Sequence, residues 1–124
     1  MMDTLAKRYG SAMHVVFRVL VGLMFFLHGG QKFGWFGGQA QPLMGLMGAA
    51  GIIEIVVGLL VLVGFWTRFA AAVGAVEMIV AYGMVHASGG WNPLVNKGEL
   101  ALLYLGAFLV LVAYGAGPWR LDKK

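Results

Sequence analysis

Residues 45–86 read GLMGAAGIIEIVVGLLVLVGFWTRFAAAVGAVEMIVAYGMVH, and this stretch decides the fold. Two apolar runs, 45–64 and 67–86, are separated only by Phe65 and Trp66. Each has about the 20 residues that a helix needs to cross a hydrocarbon core of about 30 Å. Strands are excluded at that depth, because an open sheet leaves backbone groups unpaired in lipid. So short a connection makes the two runs antiparallel neighbours. Gly45 with Ala49, Ala70 with Gly74, and Ala71 with Ala75 have the small-xxx-small spacing that lets helix backbones approach. Each run also carries one carboxylate, Glu54 or Glu77, where lipid would exclude it.

Two further apolar runs flank this pair, at about 11–28 and 98–115. Ser11 and Thr67 are N-cap residue types, Pro42 lies near the start of the second run, and Gly64, Gly115, Gly117 and Pro118 are stop signals. The first run follows Lys7 and Arg8 as a signal peptide would. It ends in Phe26-Leu27-His28 with no small-residue cleavage site, so the sequence predicts an uncleaved helix. The expected fold is an all-α membrane protein: a four-transmembrane-helix bundle forming one integral membrane domain over residues 1–124.

Composition agrees. Of 124 residues 60% are hydrophobic and 11% charged, against roughly 25% charged in a soluble domain, and the mean hydropathy is +0.83. That excludes an ordinary soluble enzyme, a disordered chain and a nucleic-acid module, despite a net charge of +4. The absence of cysteine excludes disulfides, thiol relays, Fe–S clusters, Cys-bound zinc and c-type haem. Six basic residues (Lys7, Arg8, Arg68, Arg120, Lys123, Lys124) fall on one side of the four runs and two (Lys32, Lys97) on the other. The positive-inside rule then puts both termini in the cytoplasm. Trp66 and Trp119 anchor that side, and Trp35, Phe36 and Trp91 the outer one. The expected location is the cytoplasmic (inner) membrane of a prokaryote, crossed several times.

Ionisable residues inside spans cost about 2.5–3.5 kcal/mol each at the helix centre and usually face the bundle interior. Glu54 lies ten residues from Gly64 and Glu77 ten from Thr67, each at a depth of about 15 Å. Arg18, counted from Ser11, lies at about 10 Å with a long side chain to close the gap. A buried Arg18–Glu54–Glu77 cluster is therefore expected, with coupled titration and one proton retained between the carboxylates. Two readings follow: a proton-accepting site near the midplane, or an ion network that only fixes helix packing. A second group, His28, Lys32, His86 and Glu99, collects at the outer face. It reads as a ligand-headgroup site or as ordinary interfacial polar residues. His28, His86 and Glu99 could form a two-His-one-carboxylate set, but no metal-ligand spacing appears and no metal is expected. The Gly-rich loop 29–38 lacks the strand and the Gly-Lys-Ser/Thr ending of a phosphate-binding loop. The methionines in or beside the spans read as core filler.

Several of these residues also carry a family pattern. Arg18 and Gly22 precede His28-Gly29-Gly30-Gln31-Lys32-Phe33; Glu54 precedes Gly58-Leu59-Leu60 and the stretch from Gly64 to Arg68-Phe69-Ala70-Ala71. Gly98-Glu99 and Leu103-Tyr104 follow, and the chain closes on Gly115-Ala116-Gly117-Pro118-Trp119-Arg120-Leu121-Asp122. In this order the pieces resemble the DoxX family of small bacterial and archaeal membrane proteins, across essentially the whole chain. The Pro-Trp-Arg order departs from the family's closing motif. The resemblance implies a four-helix membrane protein associated, in some members, with quinone or thiosulfate oxidation or with membrane oxidoreductase complexes. Arg18, His28, Lys32, Glu54 and Glu99 match the family's polar positions, whereas Glu77 and His86 rest on depth alone.

The resulting expectation is a redox-associated subunit binding a quinone or similar lipid-soluble ligand. No intrinsic cofactor and no nucleic-acid partner are expected; the partners are the bilayer and a membrane oxidoreductase complex or further copies of the chain. The alternatives are a structural or assembly subunit, or homo-oligomer, whose buried charges serve packing, and a small transporter or channel with a polar track from His14 through Arg18 and Glu54 to His28. No catalytic residue is assigned.

Overall fold

A computed structural model describes residues 1–37, 46–86, 92 and 98–121, without the side chains of 46, 47, 85 and 86. The helices are α1 (Met2–Gln31), α2 (Leu46–Val63), α3 (Thr67–Ala81), extended by a π-helical turn (Tyr82–His86), and α4 (Glu99–Tyr114). No strand occurs among the described residues.

Two helix starts differ from expectation. Ser11 is not an N-cap: α1 begins at Met2 and runs 30 residues, about 45 Å. Leu5, Ala6, Lys7 and Arg8 are good helix formers, so nothing breaks the helix ahead of the apolar run. Thr67 is the first helical residue of α3 rather than its cap. That place belongs to Trp66, left-handed at φ 50° and ψ 41°. The Gly64–Trp66 turn is tight because Gly64 adopts φ +73°, and a Cβ there would come within 2.7 Å of the Arg120 Cβ.

The closest helix pair is α1 with α2, not α2 with α3. A Cβ on Gly58 would stand 2.5 Å from the Phe26 backbone nitrogen, and one on Gly22 equally close to that of Leu62. Gly29 abuts Gly51 and Ile55 in the same way. The expected small residues Ala70, Ala71, Gly74 and Ala75 are buried, but Gly74 receives the Phe108 ring of α4. The molecule is thus two tight helix pairs, α1–α2 and α3–α4, with a looser contact between α2 and α3 and very little between α1 and α4.

The centre of the bundle is filled by Phe25, Val57, Val61, Phe108 and Leu111. Phe25 meets Phe108 edge-on with centroids 4.8 Å apart. Large apolar side chains also cover the outside of every helix. They include Val16 and Leu20 on α1, Ile52 and Val56 on α2, Phe69 and Ile79 on α3, and Leu103 and Leu109 on α4. A surface with apolar residues on all faces of a small bundle is suited to lipid. By length and composition α1 and the stretch Thr67–Met84 are long and apolar enough to cross a membrane.

Candidate functional site

The polar residues of the interior form two groups at opposite ends. At the turn end, Arg18 is 2% exposed. Its Nη1 donates to the carbonyls of Ala116 at 2.8 Å and Pro118 at 3.4 Å. Nη2 donates to Trp119 at 2.9 Å and Leu62 at 3.4 Å. His14 Nε2 lies 2.7 Å from the Gly115 carbonyl, and the Leu121 amide donates to Val63. The guanidinium, with donors arrayed in a fixed fork, gathers the carbonyls of the segment after α4 and one from the last turn of α2.

The expected Arg18–Glu54–Glu77 cluster therefore does not form. The α1–α2 register explains why. Gly22 lies against Gly58 and Leu62, and Gly29 against Gly51 and Glu54. Arg18, one turn before Gly22, falls opposite the end of α2, whereas Glu54 lies eight residues from Leu62, about 12 Å away along the helix. Helical side chains also lean toward their own N-terminus, which takes Arg18 toward the turn and Glu54 away from it. Counting depth from Ser11 treated that residue as the start of a helix that begins nine residues earlier.

At the far end, Glu54 is 4% exposed and its Oε1 receives Lys32 Nζ at 2.8 Å. Lys32 is the C-cap of α1, one turn beyond the Gly29 against which Glu54 packs. Glu77 lines the same cavity as Glu54 and Lys32. The two carboxylates thus border one hollow, with Lys32 in the place given to Arg18. Glu77 Oε1 is buried and meets no partner. His28 stands edge-on to Tyr104 at 5.7 Å.

These side chains form one polar end of a cavity of about 620 Å³ between the helix pairs, lined by Phe25, His28, Lys32, Ile53, Glu54, Val73, Glu77 and Tyr104, among others. A mainly apolar hollow of this size with a few converging polar groups has the form of a small-molecule site. Glu99, exposed at the start of α4, does not line it. The side chain of His86, and with it the expected His28–His86–Glu99 grouping, lies outside the described residues, as does Lys97. Between the two polar groups lie Phe25, Val57, Val61 and Phe108, at most 3% exposed. The polar track from Arg18 to Glu54 that a transporter would use is thus interrupted.

Sequence reasoning missed two participants. Tyr104 is visible as the hydroxyl within the apolar run 100–113 of α4. The carbonyls that hold Arg18 carry no side-chain signal; their only trace is the Gly-rich stretch after α4, whose positive-φ Gly115 and Gly117 turn the chain back.

Helices with an apolar exterior around a polar-ended cavity define a small all-α membrane protein. The family model for DoxX matches residues 13–87, and the chain belongs to the DoxX family. The matched region includes Arg18, His28, Lys32, Glu54 and Glu77. An uncharacterised protein of Haemophilus influenzae is 40% identical over 126 residues, covering 95% of this chain and 94% of that one. An uncharacterised membrane protein of Mycobacterium tuberculosis, Rv3486, is 30% identical over 131 residues, covering 89% and 79%. No solved structure matches the chain.

Proposed function

We propose that this DoxX-family protein is a membrane-embedded binding subunit that holds a lipid-soluble molecule with a small polar head in the cavity between its helix pairs. The observation that carries this reading is the cavity itself, apolar along its walls and closed at one end by Lys32, Glu54, Glu77, His28 and Tyr104. Burying a Lys–Glu pair and a second carboxyl in lipid is costly, and here the groups border open volume instead of packed side chains.

All four helices cross the cytoplasmic membrane in this reading, with both termini inside. The apolar exterior of every helix and the six-to-two distribution of Lys and Arg support that arrangement. A quinone suits the ligand class and the redox associations of the family. Its head would lie among Lys32, His28 and the two carboxyls, and electrons would come from a partner, since no electron-carrier ligand set was found in the sequence. The packing reading holds for Arg18, whose guanidinium is taken up by backbone carbonyls.

The test is extraction in mild detergent followed by mass spectrometry of the small molecules retained. The expected result is a lipid-soluble compound in near-stoichiometric amount, lost when Val76→Trp fills the cavity. Phospholipid alone, in equal amount in both proteins, contradicts the proposal.

A further inference from the structure

The cavity end offers a ligand two complementary contacts. Lys32 lines the cavity and is 23% exposed; one of its three N–H donors is engaged by Glu54, which leaves two. Glu77 also lines the cavity, and its Oε1 has no partner. Its last side-chain torsion is broad and two-fold, so a small rotation turns an oxygen toward the open volume. An unmet buried acceptor is costly, and a donor arriving from the cavity removes that cost.

Charge narrows the chemistry further. Lys32 is paired with Glu54. An ammonium would meet Lys32 with like charge, and a carbonyl only accepts, leaving Glu77 unmet. A hydroxyl donates one hydrogen bond and accepts others.

The geometry points to a hydroxyl head on an apolar body, the hydroxyl donating to Glu77 and accepting from Lys32. The body lies along Ile53, Val73, Val76, Met84 and Leu100, which line the rest of the cavity. This rests on the cavity being a ligand site. For a quinone couple it selects the reduced, hydroxyl-bearing form over the oxidised one.

The test is calorimetric titration of the purified full chain with three probes that share one apolar body: para-hexylphenol, its methyl ether para-hexylanisole, and para-hexylbenzylamine. The phenol is expected to bind about tenfold more tightly than the ether, the value of one hydrogen bond, with the amine weaker than the phenol. Glu77→Leu should remove the phenol's advantage while leaving binding of the ether. Ether and phenol binding equally to the unaltered protein overturns the hydroxyl assignment and leaves the cavity a ligand site. The amine binding most tightly overturns it in favour of a cation site. Binding of none of the three overturns the cavity reading and this inference together. Because the phenol–ether comparison uses the unaltered protein, it decides the question even where Glu77→Leu does not fold.

Discussion

The two ends of the bundle bury similar charges with opposite consequences. At the turn end, Arg18 gives its Nη1 and Nη2 donors to four backbone carbonyls, while its buried Nε meets no partner. At the far end, Lys32, Glu54 and Glu77 border a cavity of about 620 Å³, and one carboxyl oxygen stays unmet. A buried charge in an apolar helix is thus not a functional residue by itself. What separates the two cases is whether the buried group borders open volume, since Arg18 Nε and Glu77 Oε1 both lack a partner. Arg18 holds the segment after α4 against the α2–α3 turn, and in the proposed reading the far end receives a ligand.

The largest expected effect falls on the frame that separates the ends. Gly58→Leu sets a side chain where a Cβ already lies 2.5 Å from the backbone of Phe26. Overpacking at a backbone contact should cost about 3 kcal/mol or more, seen as loss of the monodisperse folded protein on size-exclusion in detergent. Next comes Arg18→Met, which leaves the carbonyls of Ala116, Trp119 and Leu62 without their donor. A loss of about 3 kcal/mol is expected, together with faster tryptic cleavage at Arg120 and unchanged retention of the cavity's ligand. Loss of ligand with intact stability would break the comparison.

Glu54→Gln should cost less, about 1 kcal/mol, because Lys32 is partly exposed and can extend toward the polar interface. Ligand retention, measured by mass spectrometry, should fall sharply in the same variant. Glu99→Gln comes last. Its side chain is exposed and outside the cavity, so neither unfolding temperature nor ligand retention should move. A change in retention would return Glu99 to the site.

Much of this was legible in the sequence, for identifiable reasons. Apolar runs of spanning length give helices, and Gly64 and Gly115 mark two real ends. Glu54 and Glu77 were placed together because both were counted from the same turn, a fixed point in the chain. Arg18 was misplaced because its reference, Ser11, is an interior helical residue. Which helices pack tightest also escaped notice. Gly22, Gly29, Gly51 and Gly58 are spread over two runs, and their pairing appears only once the α1–α2 register is known. The Lys32–Glu54 pair depends on that same register, since Lys32 reads from sequence as a loop residue beyond the first span.

The most direct test is thermal unfolding of Arg18→Met and Glu77→Leu side by side in the same detergent. If the turn end serves packing and the far end serves binding, Arg18→Met lowers the unfolding temperature by several degrees. Glu77→Leu then leaves it unchanged or raises it, as expected when an under-satisfied polar group is replaced by an apolar one. A fall in Glu77→Leu as large as that in Arg18→Met would contradict the account and make both ends packing devices.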